Sequence, residues 1–153
     1  MEWNRTSSPM IKTPIQIRFN DMDPMGRVNN SSYSGYLEIA RMDFCNKYFD
    51  IQTLNDTPFV LARIEMDLLK PLSPGKKAEV LTWVSGIKTT SWEFSYLIVE
   101  PNSSEIFVRA KSVQVYFNYH TYTKERIPEH VREILSSLFY SEAKLNEMIP
   151  RKL

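Results

Sequence analysis

The scarcities of this chain narrow what it can do. One cysteine, Cys45, stands among 153 residues. A lone thiol has no internal partner, so a disulfide framework is out and a reducing, cytoplasmic compartment is expected. There are two histidines, His120 and His130, and no Cys/His spacing of the metal-ligand kind. No metal site and no cofactor are therefore expected. Nineteen Lys and Arg against eighteen Asp and Glu leave a formal charge of +1, too balanced for the global field that gathers nucleic acid or anionic membrane. No apolar run approaches the ~20 residues that span a bilayer, and residues 1–6 lack the apolar stretch of a signal peptide. Gly-x-Ser-x-Gly is also missing, which removes the usual setting of a serine hydrolase triad.

What remains suits one folded domain. A chain of 153 residues buries a real core without dividing. Residues 1–13 read as a polar N-terminal arm and 14–153 as a single domain. Ile15, Ile17 and Phe19 alternate with Gln16, Arg18 and Asn20, the period of a half-buried strand. Asn30, Ser31 and Ser32 offer N-caps for a helix that runs to Tyr48 without a proline. Its apolar residues, Tyr33, Tyr36, Leu37, Ile39, Ala40 and Phe44 among them, cover more than one stripe, so burial on most sides is expected. At 1.5 Å per residue such a helix is roughly 27 Å long.

Beyond Pro58 the pattern changes to that of strands. Four are expected, over 59–69, 77–88, 92–99 and 106–116, and their links predict an antiparallel meander. Ten extended residues span about 33 Å, so one sheet wrapped around one long helix is the economical packing. Val108, Ala110, Ser112 and Gln114 share a face of the last strand, with small residues that admit a close neighbour. A tail helix over 128–140 aligns Val131, Ile134, Leu135 and Leu138, with Pro128 in its first turn. The fold class is α+β, an antiparallel sheet of about five or more strands around a central helix, with a C-terminal amphipathic helix. Sheet edges left open predict a homo-oligomer, dimer or tetramer.

The chemistry concentrates between the first strand and the helix, in Phe19-Asn20-Asp21-Met22-Asp23-Pro24-Met25-Gly26-Arg27-Val28-Asn29-Asn30-Ser31-Ser32-Tyr33. Two carboxylates two residues apart meet a loop bent by Pro24 and Gly26. Asn29 and Asn30 then lead into the helix. An acid there sits beside the positive end of a helix dipole, where charge developing on a substrate oxygen is also stabilised.

This order of elements and this motif resemble the hotdog-fold thioesterases, specifically the 4-hydroxybenzoyl-CoA thioesterase and acyl-CoA thioester hydrolase group. The family pattern reads aromatic-x-Asp-x-Asp-x-x-Gly-His-Val-Asn-Asn-x-x-Tyr. Tyr36-Leu37-Glu38-Ile39-Ala40-Arg41 looks like its central helix, and Ile127-Pro128-Glu129-His130-Val131-Arg132 like its C-terminal segment. The resemblance implies a single hotdog domain that hydrolyses an acyl-CoA or acyl-carrier-protein thioester to acid and thiol, without a metal. It implies that Asp23 is the catalytic carboxylate, as general base or nucleophile. Arg27 stands where the family usually has His. It cannot act as a base at neutral pH, but it can hold a carboxylate or phosphate. Gly26 would let the loop approach substrate, Asn30 would lie beside it, and Tyr33, Tyr36, Phe59 and Leu61 would line the acyl site.

Other residues read more simply. Asp21 is a structural acid that binds loop N–H groups, Glu38 pairs with Arg41 three residues on, and Cys45 is a small buried hydrophobe. Lys88, Arg109, Lys111, Lys124 and Arg126 are candidates for nucleotide phosphates, against the default of a solvated surface. Two other functions compete with hydrolysis. One is a non-catalytic acyl-thioester binder. The other is an enoyl or hydroxyacyl thioester hydratase, which wants an Asp-His or His-Glu pair that no residue before His120 supplies.

Overall fold

The computed structural model describes residues 10–51 and 57–141, so most of the arm expected over 1–13 lies outside the described residues. The elements are β1 (Ile11–Ile15), a 3-10 turn (Phe19–Asp21), α1 (Asn30–Tyr48), β2 (Phe59–Leu68), β3 (Ala78–Ile87), β4 (Ser91–Val99), β5 (Ile106–Asn118), β6 (Thr123–Lys124) and α2 (Glu129–Ser137). One antiparallel sheet in the order β1-β3-β4-β5-β2 packs against the long helix, with β6 appended to β5.

The first strand lies earlier than the apolar period placed it. Ile11, Thr13 and Ile15 point inward while Lys12 and Pro14 point out, and Phe19 is 92% exposed in the 3-10 turn. Pro14 lacks an N–H, but β1 is an edge strand, where the lost ladder bond is tolerated.

The expected meander holds only for β3, β4 and β5. β2 does not pair with β3 but crosses to the far edge and pairs with β5, Ile64 facing Ser112 and Leu68 facing Val108. The link over 69–77 is too long for the tight hairpin that a meander requires. It runs across the start of α1 instead, burying Leu72 completely and accepting the Val28 N–H on the Leu72 carbonyl at 2.9 Å.

α1 buries one side rather than most of its circumference. Leu37, Ala40 and Phe44 are fully buried against Val80, Val84, Phe94, Tyr96 and Ile98, whereas Ile39 is 50% exposed. A single helix over one sheet face has only that face to bury. On one flank Asp43 accepts the Thr13 hydroxyl at 2.6 Å. On the other, Arg41 turns inward and donates to the Tyr96 hydroxyl at 3.4 Å. It therefore forms no ion pair with Glu38, which is exposed. Tyr96 in turn bonds Ser112, which bonds Gln114. The face of Val108, Ala110, Ser112 and Gln114 is buried, as its small residues suggested. The helix packs chiefly against β1 and β3, leaving Leu61 and Leu68 of β2 44% and 46% exposed.

The tail helix is shorter than the expected 128–140. Pro128 is its N-cap, and Leu138 ends it. Phe139 and Tyr140 are drawn off to the sheet, where the Tyr140 N–H donates to the Val84 carbonyl at 2.8 Å. Among the described residues no helix is long and apolar enough to cross a membrane.

The core makes a direct prediction. Phe44 sits edge-on to Phe94, ring centroids 4.6 Å apart. Phe44→Ala should lower stability in urea unfolding by about 3–5 kcal/mol, while Ile39→Ala should stay within about 0.5 kcal/mol.

Candidate active site at the start of the central helix

The loop before α1 is built on Asp21, only 4% exposed. Its Oδ2 accepts the Arg18 backbone N–H and the Tyr36 hydroxyl, both at 2.8 Å, and its Oδ1 accepts the Arg18 guanidinium at 3.2 Å. Its carbonyl accepts the Asn29 N–H at 2.7 Å and the Ser32 hydroxyl at 3.1 Å. One residue thus joins the strand exit to the helix entry. Burial pushes the Asp21 carboxyl up, but its three hydrogen bonds and the Arg18 charge outweigh that, and it lies below the ordinary carboxylate value. Burial and then the bond to Asp21 push the Tyr36 hydroxyl well up, so it stays a donor.

Above this base the chain makes a small closed loop. Met22 and Val28 form an antiparallel bridge, and the Asp23 N–H donates to the Arg27 carbonyl at 2.7 Å. Asp23 Oδ1 accepts the backbone N–H groups of Met25 at 2.8 Å and Arg27 at 3.0 Å. Gly26 turns the loop at φ +75°, a conformation that strains any L side chain. The helix is capped one residue earlier than expected, by Asn29 Oδ1 accepting the Ser31 N–H at 3.1 Å.

Asp23 is half-buried. One oxygen is held by the loop, and its Oδ2 has no hydrogen-bond partner among the described residues. It borders a cleft of about 420 Å³, shared with Arg27, Asn30 and Tyr33 and closed opposite by Leu68, Lys70 and Pro71. The Asn30 N–H, first of the helix, has no acceptor among the described residues. The buried Tyr33 hydroxyl accepts the Leu72 N–H at 3.4 Å. Its pKa is raised by burial, with Arg27 pulling it down and Asp23 pushing it up, so both charges act at the same wall.

Of the residues singled out from sequence, Asp23, Arg27, Asn30 and Tyr33 come together at the cleft, and Gly26 shapes their loop. Tyr36 sits deeper, occupied by Asp21. Phe59 and Leu61 lie at the opposite end of β2, with Phe59 packed on Trp92 at 5.2 Å. Leu68, Lys70 and Pro71 took no part in the sequence reading of the site. The Lys-Pro pair looked like a turn only, and nothing local reveals that the crossover passes over the helix start. Burial raises the Cys45 thiol to about 12, against the pull of Arg41, so it is an inert core residue. Lys88, Arg109, Lys111, Lys124 and Arg126 do not line the cleft; Arg27 and Lys70 are its cations. Among the described residues no cluster of His, Cys, Asp or Glu is arranged to hold a metal ion.

Comparison with known proteins agrees with this frame. The family model described as the thioesterase-like superfamily matches residues 17–135, and the chain belongs to that superfamily. Acyl-acyl carrier protein thioesterase ATL2 of Arabidopsis thaliana is 26% identical over 125 residues, covering 77% of this chain and 64% of that protein. The chain thus spans just under two thirds of the length of that curated relative. A thioesterase from Thermus thermophilus, solved with coenzyme A and Zn, superposes with a TM-score of 0.76 at 27% identity, covering 87% of this chain and 96% of that one. A predicted thioesterase from Bacillus stearothermophilus shares the fold, with a TM-score of 0.79 at 24% identity over 86% and 98% of the two chains.

The lowered Asp21 carboxyl has a pH signature. A group depressed on folding stabilises fully above its unfolded value of about 3.9 and loses that contribution as pH falls through the folded value. Asp21→Asn should therefore cost about 2 kcal/mol at pH 7 through lost charge-assisted bonds. The gap to wild type should shrink progressively below pH ~4, measured by urea unfolding across pH.

Proposed function

We propose that this protein hydrolyses acyl thioesters, with coenzyme A or an acyl carrier protein as the thiol, and that Asp23 is the reacting carboxylate. The observation that carries this reading is the division of labour within Asp23. One oxygen is fixed by two loop N–H groups, and the other is free at a cleft beside the first N–H of a 19-residue helix. A thioester carbonyl between them would meet a base or nucleophile on one side and a donor with a helix dipole on the other.

As a general base, Asp23 takes a proton from water while the hydroxyl oxygen bonds to the carbonyl carbon. The oxyanion rests against the Asn30 N–H. Its collapse breaks the C–S bond, and the proton held by Asp23 passes to the departing thiolate. As a nucleophile, Asp23 would attack the carbonyl carbon, the C–S bond would break to release the thiolate, and water would then cleave the mixed anhydride to the free acid and restore Asp23. Arg27 and Lys70 add positive charge at the rim and favour an anionic carrier. The thiol carriers follow from the relatives, one an acyl carrier protein thioesterase and one solved with coenzyme A. A reducing compartment such as the cytoplasm suits the single buried thiol of Cys45.

A homo-oligomer, most simply a dimer, is part of the same reading. β2 is a ten-residue open edge with Leu61 and Leu68 partly exposed. Arg63, Glu65 and Asp67 are exposed along it. Antiparallel pairing with a second β2 would set each Arg63 against acids of the other copy.

Asp23→Asn is the direct test. The amide oxygen can still accept the Met25 and Arg27 N–H groups, so thermal stability should hold. Hydrolysis across a panel of acyl-CoAs should fall by about 10²–10⁴. Unchanged turnover would remove Asp23 from the mechanism, and saturable acyl-CoA binding by wild type without turnover would favour a non-catalytic binder.

A further inference from the structure

Arg41 is a cation buried without a counter-ion. It is 6% exposed, and its one hydrogen bond among the described residues is the 3.4 Å contact to the Tyr96 hydroxyl. A charge taken out of water is costly unless an opposite charge answers it. Among the described residues none does. Ser112 donates to the Gln114 amide oxygen, so Tyr96 donates to Ser112, and every member of that chain is neutral. Burial raises the Tyr96 hydroxyl and the Cys45 thiol, so neither ionises to balance Arg41. Asp43 is engaged by Thr13 and Lys47 on the opposite flank of the helix, and Glu38 is exposed. The remaining N–H groups of Arg41 have no acceptor among the described residues, yet they keep access to solvent.

The sheet beside Arg41 forms an apolar trough that begins at the cleft. Because α1 packs over β1 and β3, β2 is left to one side of it. Across the strands, Tyr96, Ala110 and Met66 make one row and Phe94, Ser112 and Ile64 the next. Ala110 and Ser112 keep the floor low, and Ile64 and Met66, both half-buried, form the outer wall. Followed along β2, that wall runs into Leu68, which closes the Asp23 cleft. From Leu68 to the level of Met66 and Ile64 is about 10 Å. On the helix, Arg41 stands three turns beyond Asn30 on the same face, with its Cα–Cβ bond tilted back toward the helix start.

Resting on the thioesterase reading, we infer that the acyl chain runs from Asp23 along this trough and that Arg41 binds a carboxylate at its far end. The substrates are then thioesters of medium-length dicarboxylic acids. The guanidinium fork offers paired donors to that carboxylate, and the Tyr96–Ser112–Gln114 chain holds the fork from behind. Leu68, Met66 and Ile64 take the methylenes between the two polar ends. A methyl-terminated chain of the same length leaves the buried charge unanswered, and that is the basis of discrimination. All of these groups belong to one chain.

Two measurements on the full chain test this. Titration calorimetry with free acids needs no turnover. Sebacic acid should bind about tenfold more tightly than decanoic acid and than the hydroxyl-terminated analogue of the same length. Each of the three has one carboxylate for the thioester end, so the ratios report the far end. In turnover, sebacyl-CoA should exceed decanoyl-CoA by about the same factor in kcat/KM. Arg41→Met removes the charge at similar volume and should bring both ratios to about one, while Arg41→Lys should recover part of the preference. Equal affinities, equal binding of the hydroxyl analogue, or a preference that survives Arg41→Met would overturn the proposal. Should Arg41→Met not fold, the wild-type ratios decide alone. A wild type that prefers sebacic acid but hydrolyses no acyl-CoA would sink the thioesterase reading and leave the Arg41 assignment standing.

Discussion

The site depends on Asp21 more than on any other residue. Its carboxylate gathers the Arg18 backbone, the Arg18 guanidinium and Tyr36, while its carbonyl takes Asn29 and Ser32. Those partners belong to the strand exit, the middle of the helix and the helix start. This junction ties the start of the loop that presents Asp23 to the helix N-terminus. A buried carboxylate is costly unless every lone pair is answered, and here the donors answer it well enough to hold it ionised. The two acids of the motif therefore divide into a structural one, spent on its neighbours, and one with an oxygen left over.

The second constraint is sheet order. Because β2 leaves its sequence neighbour and pairs with β5, the link back to β3 must cross the open end of the sheet. That crossing lays Leu68, Lys70 and Pro71 over the start of α1 and turns a loop into a walled cleft. The same choice leaves β2 as a long edge with partly exposed leucines. Cleft and edge thus share a cause, and the cations of the rim, Arg27 from the loop and Lys70 from the crossover, come from segments that only the crossover brings together.

Much of this was legible in the chain. The 19-residue helix was marked by its polar cap residues and by apolar residues uninterrupted by proline, and β3, β4 and β5 by alternation between turn signals. The small face of β5 was readable because Ala110 and Ser112 leave room that a neighbour must fill. The failures have physical reasons too. Pro14 disguised β1 because its missing N–H matters only in a central strand. Phe19 looked like an inward strand residue, but the Asp21 bond to the Arg18 N–H curls the chain before it. Arg41 seemed to pair with Glu38 at helical spacing, yet it reaches the buried Tyr96–Ser112–Gln114 chain, a partner set far away in sequence.

By itself the sequence determined the fold class, the length of the central helix and the motif that identifies the superfamily, because these rest on local periodicity and on residue types at short spacing. Tertiary structure alone decided which strand lies at the edge and which segment closes the cleft, and within one chain it set Phe59 and Leu61 toward the other end of β2 from the cleft. Those depend on which strands hydrogen-bond to each other, and alternation along a strand says which way a side chain points but not which neighbour it meets.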